Sequence, residues 1–314
     1  MTHLRNRYQG TLVGVLAGDA LGAPYETWFS ETVLADYAKR GGLVPFAYPD
    51  PWGVDGIFPA GRPTDDSELT AALAESLVEC GCIDLEDQYR RFKSTALQGK
   101  SFLWDGVVKG FGGTTRETLA AETYAESLDL KDLPLRVTNG SLMRSAPLAL
   151  FFHDTDMVNI DSSVRNSSHV THRHETAMES CVVFVHILDA LLNGGDIRYA
   201  VAHGVSHTDD WSLAHQLQDL TVQPIIPKNF PDRGNAVLTL QAALWALLTT
   251  SSFEEGISAV IALGGDTDTY AAVAGALLGA TYGIEGIPAE WISVLRGGER
   301  MKELADLLYE RNHS

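Results

Sequence analysis

The sequence predicts an all-α fold that forms one domain over residues 1–314. Apolar side chains recur with the helical period along most of the chain, and the alternating pattern of half-buried strands is almost absent. No change of composition, flexible linker or internal repeat divides the chain. Its hydrophobic content of 45% is ordinary for a globular protein and sufficient for a large core.

The first helix is predicted over residues 5–22. Gly14, Gly18 and Gly22 recur every four residues within it, so they share one face and allow a neighbouring helix to approach closely. Asp19 interrupts the apolar stretch, which argues against a signal peptide. No run reaches the roughly 20 apolar residues of a membrane span, so we expect a soluble protein without membrane association.

The middle of the chain continues with helices separated by loops. From Ser67 to Cys80 the apolar residues fall on one helical stripe. The stretches 41–63 and 221–233 are rich in proline and glycine, which predicts loops. Further helices are predicted over 84–98, 114–127, 140–153, 156–167, 173–193 and 211–219.

The last part of the chain contains the most apolar segments. Residues 234–250 are apolar almost all round, which indicates a central helix. The helix predicted over 270–282 carries Ala271, Gly275 and Gly279 four residues apart, so its backbone can lie close to a neighbour. The remaining helices are predicted over 252–262, 289–296 and 299–311.

Charge and cysteine content restrict the possible partners and the cellular setting. The 41 acidic and 23 basic residues give a formal net charge of −18, which opposes non-specific nucleic-acid binding. Cys80, Cys82 and Cys181 are odd in number and do not form a disulfide framework. We therefore expect a reduced, cytoplasmic setting. The sequence is compatible with a monomer or a small homo-oligomer.

Two acidic clusters precede apolar helices about two hundred residues apart. The first is Thr64-Asp65-Asp66-Ser67, and the second is Gly264-Gly265-Asp266-Thr267-Asp268-Thr269. Neither contains a lysine or arginine, so the carboxylates would repel one another if they met without a cation between them. Mg²⁺ and Mn²⁺ prefer such oxygen ligands. The alternative is that each cluster is only a helix cap, which Asp and Thr commonly provide.

Two further stretches complete an ordered set of motifs. Gly18-Asp19, followed by Gly22 and Glu26, closes the first helix, and the stretch from Thr138 to Pro147 lies mid-chain. With the two acidic clusters, this order and spacing resemble the ADP-ribosylglycohydrolase family, which includes the dinitrogenase-reductase activating glycohydrolases. The likeness covers nearly the whole chain.

The resemblance implies a fold, an activity and a metal centre. The implied fold is a compact, orthogonal multi-helix bundle, and the implied reaction is metal-dependent hydrolysis of the glycosidic bond between ADP-ribose and an acceptor. Two Mg²⁺ or Mn²⁺ ions can coordinate the vicinal ribose hydroxyls beside the anomeric carbon. Glu26, Asp66 and Asp266 are the implied catalytic residues. The implied metal ligands are Thr64, Asp65, Asp66, Asp266, Asp268 and Thr269.

The mid-chain motif is a candidate for substrate binding. Asn139, Gly140 and Ser141 precede a predicted helix whose N-terminus can bind a diphosphate, although a simple turn and cap is the alternative. Arg144 is assigned no more than a supporting role, and a surface charge is the alternative for it. The Thr171-His172 pair matches a family position that contacts the phosphates or ribose of ADP-ribose, and a capping Thr before an exposed His is the alternative.

The acceptor stays open because the glycine-rich stretch departs from the family pattern. Members that release ADP-ribose from arginine usually carry an Asp in a Phe-Asp-Ile-Gly stretch, whereas the region from Gly110 to Thr115 is one residue shorter and has no Asp. Asp105 is the nearest carboxylate. Gly112 and Gly113 are candidates for a mobile loop over the leaving group. Arginine, serine, a nucleobase or a small metabolite are all possible acceptors.

Three other interpretations of the sequence are alternatives to this function. His169, His172 and His174 lie within six residues, but a zinc site needs three or four nitrogen or sulfur ligands and no cysteine is near. A catalytically silent ADP-ribose-binding protein on the same scaffold is a second alternative. A dimetal hydrolase of another nucleoside or nucleotide is the third, since a fold alone does not specify a function.

Overall fold

A computed structural model describes residues 3–49, 56–104, 106, 108–130, 136–155, 159–218 and 220–313. Within these residues the secondary structure is almost wholly helical. Among the described residues, the strands form one small antiparallel pair, β1 (Tyr48–Pro49) with β2 (Ile57–Phe58). The prediction of an all-α fold is therefore confirmed, while the prediction of a single domain stays a prediction.

The helices follow one another in chain order with short connections. The first nine are α1 (His3–Gly22), α2 (Ser30–Arg40), α3 (Asp65–Cys80), α4 (Leu85–Gln98), α5 (Gly113–Thr118), α6 (Tyr124–Ser127), α7 (Ala146–Phe152), α8 (Ile160–His169) and α9 (Glu175–Leu192). The rest are α10 (Ile197–Val205), α11 (Trp211–Gln216), α12 (Phe230–Arg233), α13 (Ala236–Thr249), α14 (Phe253–Ile261), α15 (Thr267–Tyr282), α16 (Ala289–Ile292) and α17 (Gly298–His313). Single 3₁₀ turns follow α1 and α15.

Most predicted helices are present, and the differences have local causes. The predicted helix 114–127 is two short helices, α5 and α6, and the predicted helix 140–153 begins only at Ala146. Residues 140–144 instead form turns around a buried arginine, Arg144. Helices α2, α10 and α12 were not predicted. Helix α2 buries only Val33, so its apolar stripe is too weak to detect, and α12 lies in the stretch 221–233 that was predicted to be a loop.

Helices α1 and α15 are in backbone contact, as their small residues predict. A Cβ atom on Gly14 would lie 2.1 Å from the carbonyl oxygen of Gly275, and one on Gly18 would lie 1.9 Å from that of Ala271. No larger residue fits at these crossings without moving a backbone. Thr267 at the start of α15 donates its hydroxyl to the Gly22 carbonyl at 2.8 Å. The contact thus joins the end of α1 to the start of α15.

Helices α13 and α9 complete the centre of the molecule around α15. Leu240, Leu244 and Leu247 of α13 are buried, as expected for a helix that is apolar on almost all sides. One cluster of buried hydrophobic residues contains side chains from both ends of the described chain, for example Leu12 and Leu308. In the part of the chain that the structure describes, no helix is both long and apolar enough to cross a membrane.

Candidate active site

The predicted motifs meet at one cavity of about 680 Å³. It lies where the ends of α1, α3 and α15 come together. Its walls contain the two acidic clusters, the mid-chain motif and the glycine-rich stretch. The lining residues are Glu26, Asp65, Asp66, Gly110, Phe111, Gly112, Gly113, Thr114, Thr115, Arg136, Thr138, Asn139, Gly140, Met143, His172, Arg233, Gly234, Asp266, Asp268 and Thr269.

Asp19 of α1 holds the first acidic cluster in place. Thr64 at the N-cap of α3 makes no capping bond with its own side chain. Instead the carboxylate of Asp19 accepts hydrogen bonds from the backbone N–H groups of Thr64 and Ser67, both at 3.0 Å, and from both of their hydroxyls. A neighbouring helix therefore supplies the cap for α3 and orients the turn that carries Asp65 and Asp66.

A glycine pair shapes the second acidic cluster. Gly264 and Gly265 have φ values of 72° and 95°, which favour glycine. Gly265 donates its N–H to the Trp28 carbonyl at 2.9 Å, and the Thr27 N–H donates to the Gly265 carbonyl at 2.7 Å. These two bonds tie the segment after Glu26 to the turn before α15. Glu26 is consequently placed beside the carboxylates of that turn.

The two acidic clusters face each other across the cavity. Carboxylate oxygens of Glu26, Asp266 and Asp268 lie within 4.8 Å of one another. Asp66 of the first cluster lines this cavity together with Asp268 and Thr269 of the second. The Asp66 Oδ1 atom is buried and has no hydrogen-bond partner among the residues that the structure describes. A buried carboxylate oxygen without a hydrogen-bond partner is energetically costly.

Burial and mutual repulsion disfavour the charged forms of these groups. The pKa values of Asp65, Asp66 and Asp268 are raised well above the usual value, first by burial and then by the neighbouring carboxylates. Burial, and next the charge of Asp266, raises the pKa of Glu26 to about 7. A cation between the clusters would remove this repulsion and satisfy Asp66 Oδ1. The donor set is all oxygen, which fits a hard divalent cation.

Asn139 connects the mid-chain motif to the acidic turn. Its side-chain amide donates to Asp266 Oδ2 at 2.8 Å and to the Thr239 hydroxyl at 2.9 Å. Because Asp266 is held by Asn139, the orientation of this carboxylate depends on a residue 127 positions away. Asn139 therefore orients an acidic side chain as well as lining the cavity.

Arg144 is fully buried behind the mid-chain motif. Its guanidinium donates to the Gly140 carbonyl and to the Thr171 hydroxyl oxygen, both at 2.8 Å, and stacks on Phe92. Burial lowers the pKa of Arg144 to about 10. The reading of Arg144 as a surface charge is therefore wrong, and its contacts agree with a supporting role for the cavity wall.

His172 is a neutral, buried residue in that wall. The Thr171 oxygen already accepts from Arg144, so we assign its hydroxyl proton to His172 Nδ1, 2.8 Å away. This assignment leaves an N–H on His172 Nε2, near Gly140, where a Cβ atom would lie 2.9 Å from Nε2. Burial, and then the charge of Arg144, lowers the pKa of His172 to about 3. The reading of His172 as an exposed side chain is wrong.

The glycine-rich stretch lies against the first acidic cluster. Gly110 has a φ of 110°, and a Cβ atom there would lie 2.1 Å from Asp65 Oδ1. Gly112 and Gly113 line the cavity, but a Cβ atom on Gly112 would meet nothing within 4 Å. The steric need for glycine is thus at Gly110, and the predicted mobility of this loop stays a prediction. Asp105 lies outside the described residues.

The structure places Ser141 behind the cavity wall and keeps the three candidate zinc histidines apart. Ser141 is buried beside the cavity without lining it, because its hydroxyl oxygen accepts a bond from Ser168 at 2.8 Å. The histidines weighed for zinc do not converge. His169 contacts the Tyr124 hydroxyl at 3.2 Å, His172 faces the cavity, and His174 Nδ1 accepts the backbone N–H of Thr176 at 3.2 Å.

Sequence reasoning missed three residues that shape the site. Asp19 belongs to the first motif but was predicted no role there. A carboxylate within a helix of small residues does, however, indicate a buried polar partner. Arg136 and Arg233 line the cavity and bring positive charge to an acidic protein. Arg233 also donates to the carbonyls of Thr27 at 3.1 Å and Pro227 at 2.8 Å. No local pattern marks either arginine.

Comparisons with known proteins agree with this arrangement. The family model described as ADP-ribosylglycohydrolase matches residues 1–314. The ADP-ribosylarginine hydrolase Tri1 of Pseudomonas putida (strain GB-1) is 27% identical over 98% of this chain and 78% of that protein. The ADP-ribosyl-[dinitrogen reductase] glycohydrolase of Rhodospirillum rubrum is 25% identical over 93% of this chain and 91% of that protein. A solved structure titled "ADP-ribosylglycohydrolase-related protein complex" is 29% identical, with a TM-score of 0.74 over 99% of this chain and 100% of that one.

Proposed function

The chain belongs to the ADP-ribosylglycohydrolase family, and we propose that it hydrolyses the glycosidic bond between ADP-ribose and an acceptor, with divalent cations in the acidic pocket. The observation that carries this proposal is the meeting of two acidic turns around one cavity. Asp66 and Asp268, which are 202 residues apart in the sequence, both line it. Several buried carboxylates in one cavity are costly to maintain, so their presence there supports a cation-dependent function.

The proposed cation ligands are the oxygen groups of the two acidic turns. Asp65, Asp66 and Asp268 offer buried carboxylates, and the unpartnered Asp66 Oδ1 is the best-supported ligand atom among them. Thr64, Asp266 and Thr269 are the further proposed ligands. Two Mg²⁺ or Mn²⁺ ions bound there would supply positive charge that binds vicinal hydroxyls of the ribose and offsets the repulsion between carboxylates.

The side chains around the cavity suit the remaining steps. We assign Glu26 to hold the attacking water and to accept its proton, since its carboxylate lines the cavity beside Asp266 and Asp268. The water oxygen forms a bond to the anomeric carbon as the bond to the acceptor breaks, and the proton accepted by Glu26 passes to the departing acceptor, so that water is added across the glycosidic bond. Asn139 keeps Asp266 oriented during this change.

The opposite wall suits the diphosphate and the sugar. His172 is neutral and buried, and its assigned Nε2–H can donate a hydrogen bond to a substrate oxygen. Gly140 lies next to this ring, and Arg136 and Arg233 bring positive charge to the same cavity. These groups supply local attraction for an anionic ligand in a protein with a net charge of −18.

The acceptor is proposed only as a class. One relative is named for ADP-ribosylarginine and another for ADP-ribosylated dinitrogen reductase. In the described residues of the glycine-rich stretch, from Gly110 to Thr115, there is no carboxylate that could receive a guanidinium. We therefore propose an ADP-ribosylated acceptor whose linkage the following experiment identifies.

A panel of linkages tests the function directly. Arginine-, serine- and nucleobase-linked ADP-ribose are incubated with the protein in Mg²⁺, in Mn²⁺ and in EDTA, and released ADP-ribose is measured. We expect turnover of at least one linkage with either metal and its loss in EDTA. Asp66→Asn is expected to lose turnover, and Asp129→Asn, at an exposed position, serves as the matched control.

The possible outcomes separate this function from its alternatives. Full activity in EDTA would exclude the proposed cation dependence. Binding of free ADP-ribose without turnover of any linkage, measured by calorimetry, would indicate a silent binding protein. Hydrolysis of unmodified nucleotides or nucleosides, with all ADP-ribosyl linkages left intact, would indicate a dimetal hydrolase of another substrate.

A further inference from the structure

Three histidines and one aspartate form a second cluster of metal-ligating side chains. His186 lies in α9, His203 lies in α10, and His207 lies in the turn that follows α10. One ring nitrogen from each lies within 4.8 Å of the other two. Asp161, in the first turn of α8, contacts His186 Nε2 through its Oδ1 at 2.6 Å. None of these residues lines the acidic cavity.

We propose that His186, His203 and His207 form a binding site for a borderline transition-metal ion such as Zn²⁺, with Asp161 as the carboxylate that orients the ligands. Imidazole nitrogens suit Zn²⁺, Cu²⁺ and Ni²⁺, whereas Mg²⁺ and Ca²⁺ prefer oxygen. The site is therefore chemically distinct from the oxygen-rich pocket. Three protein ligands leave one position of a tetrahedral ion open to solvent.

Asp161 has the geometry of a residue that supports metal-binding imidazoles. Its Oδ1 atom accepts from His186 Nε2, and its Oδ2 atom lies 3.9 Å from His207 Nδ1. A carboxylate that accepts a proton from one ring nitrogen fixes the ring and makes the other nitrogen a better ligand. Its negative charge also offsets the charge of a bound ion. The neighbouring cation, Arg165, is paired with Glu179.

The rings must rearrange slightly when the ion binds. His186 and His207 stack with their centroids 3.5 Å apart and their planes 14° apart. An ion approaches an imidazole nitrogen in the plane of the ring, so two stacked rings cannot both bind it without a rotation. His207 can rotate because it follows the helix and 32% of its side chain is exposed. The ring of His203 is already steeply inclined to that of His207, at 75°.

A bound ion would join α9 to α10 through its three ligands, and α8 through the contact of Asp161 with His186. Asp161 lies at the start of α8, and the chain leaves the end of α8 into the Thr171-His172 turn. Helix α9 carries His186, and α10 packs against it through Gly204, where a Cβ atom would lie 2.7 Å from the Val183 carbonyl oxygen. Since the ion binds only the folded arrangement, it stabilises the protein by an amount that rises with the logarithm of its concentration above the Kd.

Zinc titration tests the site in the presence of the other metal. Calorimetry of the whole protein is done with Zn²⁺ in excess Mg²⁺, for the wild type, His207→Ala and Asp161→Asn. We expect the wild type to bind one more equivalent of Zn²⁺ than His207→Ala. Asp161→Asn is expected to bind this equivalent about 10- to 100-fold more weakly, the usual effect of removing such a partner. His215→Ala, an exposed histidine elsewhere, should behave as the wild type.

A spectroscopic measurement separates ligation from a structural effect of the substitutions. Co²⁺ in the wild type should give the visible absorption of an ion with imidazole ligands, and this band should be lost in His207→Ala and shifted in Asp161→Asn. Unfolding temperatures without metal show that each variant is folded. Equal Zn²⁺ stoichiometry in the wild type and a folded His207→Ala, or no imidazole-type Co²⁺ spectrum, overturns the proposal.

Discussion

At the scale of single residues, the geometry of the cavity depends on residues that determine where neighbouring groups lie. Gly110 is such a position, because its φ of 110° and its closeness to Asp65 both exclude a side chain. Arg144 is another, since it holds the Gly140 turn and the Thr171 hydroxyl together. Neither residue needs to touch a substrate to influence its binding.

Gly110→Ala is expected to reduce activity more than it reduces stability. The new Cβ atom would meet Asp65 Oδ1, and a displacement of an active-site group by about 1 Å can cost about 100-fold in rate. Backbone strain adds a loss of stability on the order of 1–3 kcal/mol. The measurements are kcat/KM on the linkage found active and urea unfolding. Gly112→Ala is the matched control, since a Cβ atom there meets nothing within 4 Å; equal loss in both variants would contradict the assignment.

His172 should make the folded protein less stable as the pH falls below neutrality. Its folded-state pKa of about 3 lies below the unfolded value of 6.5, so the unfolded chain binds the proton first. Stability is therefore lost progressively from about pH 6.5 down to about pH 3, by about 1.4 kcal/mol at pH 5.5, one unit below the unfolded pKa.

The measurement for His172 is the free energy of unfolding in urea at pH 7.5 and pH 5.5. The carboxylates of the acidic pocket also titrate in acid, so the result is the difference between variants. His172→Gln should lose less stability than the wild type between these two pH values, while the exposed-site variant His215→Gln should follow the wild type. If His172→Gln lost as much stability as the wild type between pH 7.5 and pH 5.5, the buried imidazole would not be the source of that loss.

At the scale of secondary-structure elements, the contact between α1 and α15 positions the acidic groups. Gly14 and Gly275 bring the two backbones together, and Thr267 bonds to Gly22 at the end nearest the cavity. Because Asp19 of α1 also caps α3, one helix aligns both acidic turns. The glycines in the helix centres are therefore part of the construction of the site.

Gly275→Ala should destabilise the protein and also lower its activity. The added Cβ atom would lie 2.0 Å from the Gly14 carbonyl oxygen, and overpacking of this kind costs about 1–3 kcal/mol. Since α15 also carries Asp268, a shift of this helix displaces a proposed ligand. Urea unfolding and kcat/KM are the measurements. Gly195→Ala is the control, because its Cβ atom would have its nearest contact at 3.5 Å, and it should change neither quantity appreciably.

At the scale of the whole molecule, both the net charge of −18 and the buried carboxylates oppose folding. The surface charge is screened by any salt, whereas buried groups are screened much less. A divalent cation in the pocket therefore has an effect on stability that monovalent salt cannot reproduce. The difference between the stability gained with the divalent cation and that gained with monovalent salt therefore separates specific binding from general screening.

Mg²⁺ or Mn²⁺ should raise the unfolding free energy beyond the effect of NaCl at equal ionic strength. A ligand at 100 times its Kd adds about 2.7 kcal/mol when it binds only the folded state. Asp268→Asn should remove most of this increment, and Asp129→Asn should keep it. The measurement is urea unfolding with and without the cation. An equal response to Mg²⁺ and NaCl in the wild type would count against the proposed metal centre.

The helical class, the family and the small-residue faces of α1 and α15 were predictable from the chain. Helical periodicity is a local property, and the spacing of Gly14, Gly18 and Gly22 shows directly which face lacks side chains. The acidic turns were predictable for the same reason, since Thr64 to Ser67 and Gly264 to Thr269 are short continuous motifs. Features that need only neighbouring residues can be inferred without knowing how the chain folds.

The contact partners of each group could be identified only from the folded molecule. Asp19 capping α3, Arg144 buried behind Gly140, and Ser141 turned away from the cavity all depend on contacts with residues distant in sequence. The steric demand at Gly110 and the meeting of three histidines follow from the same cause. Packing brings these groups together from separate helices, and burial then sets their charge and orientation; no local pattern contains that information.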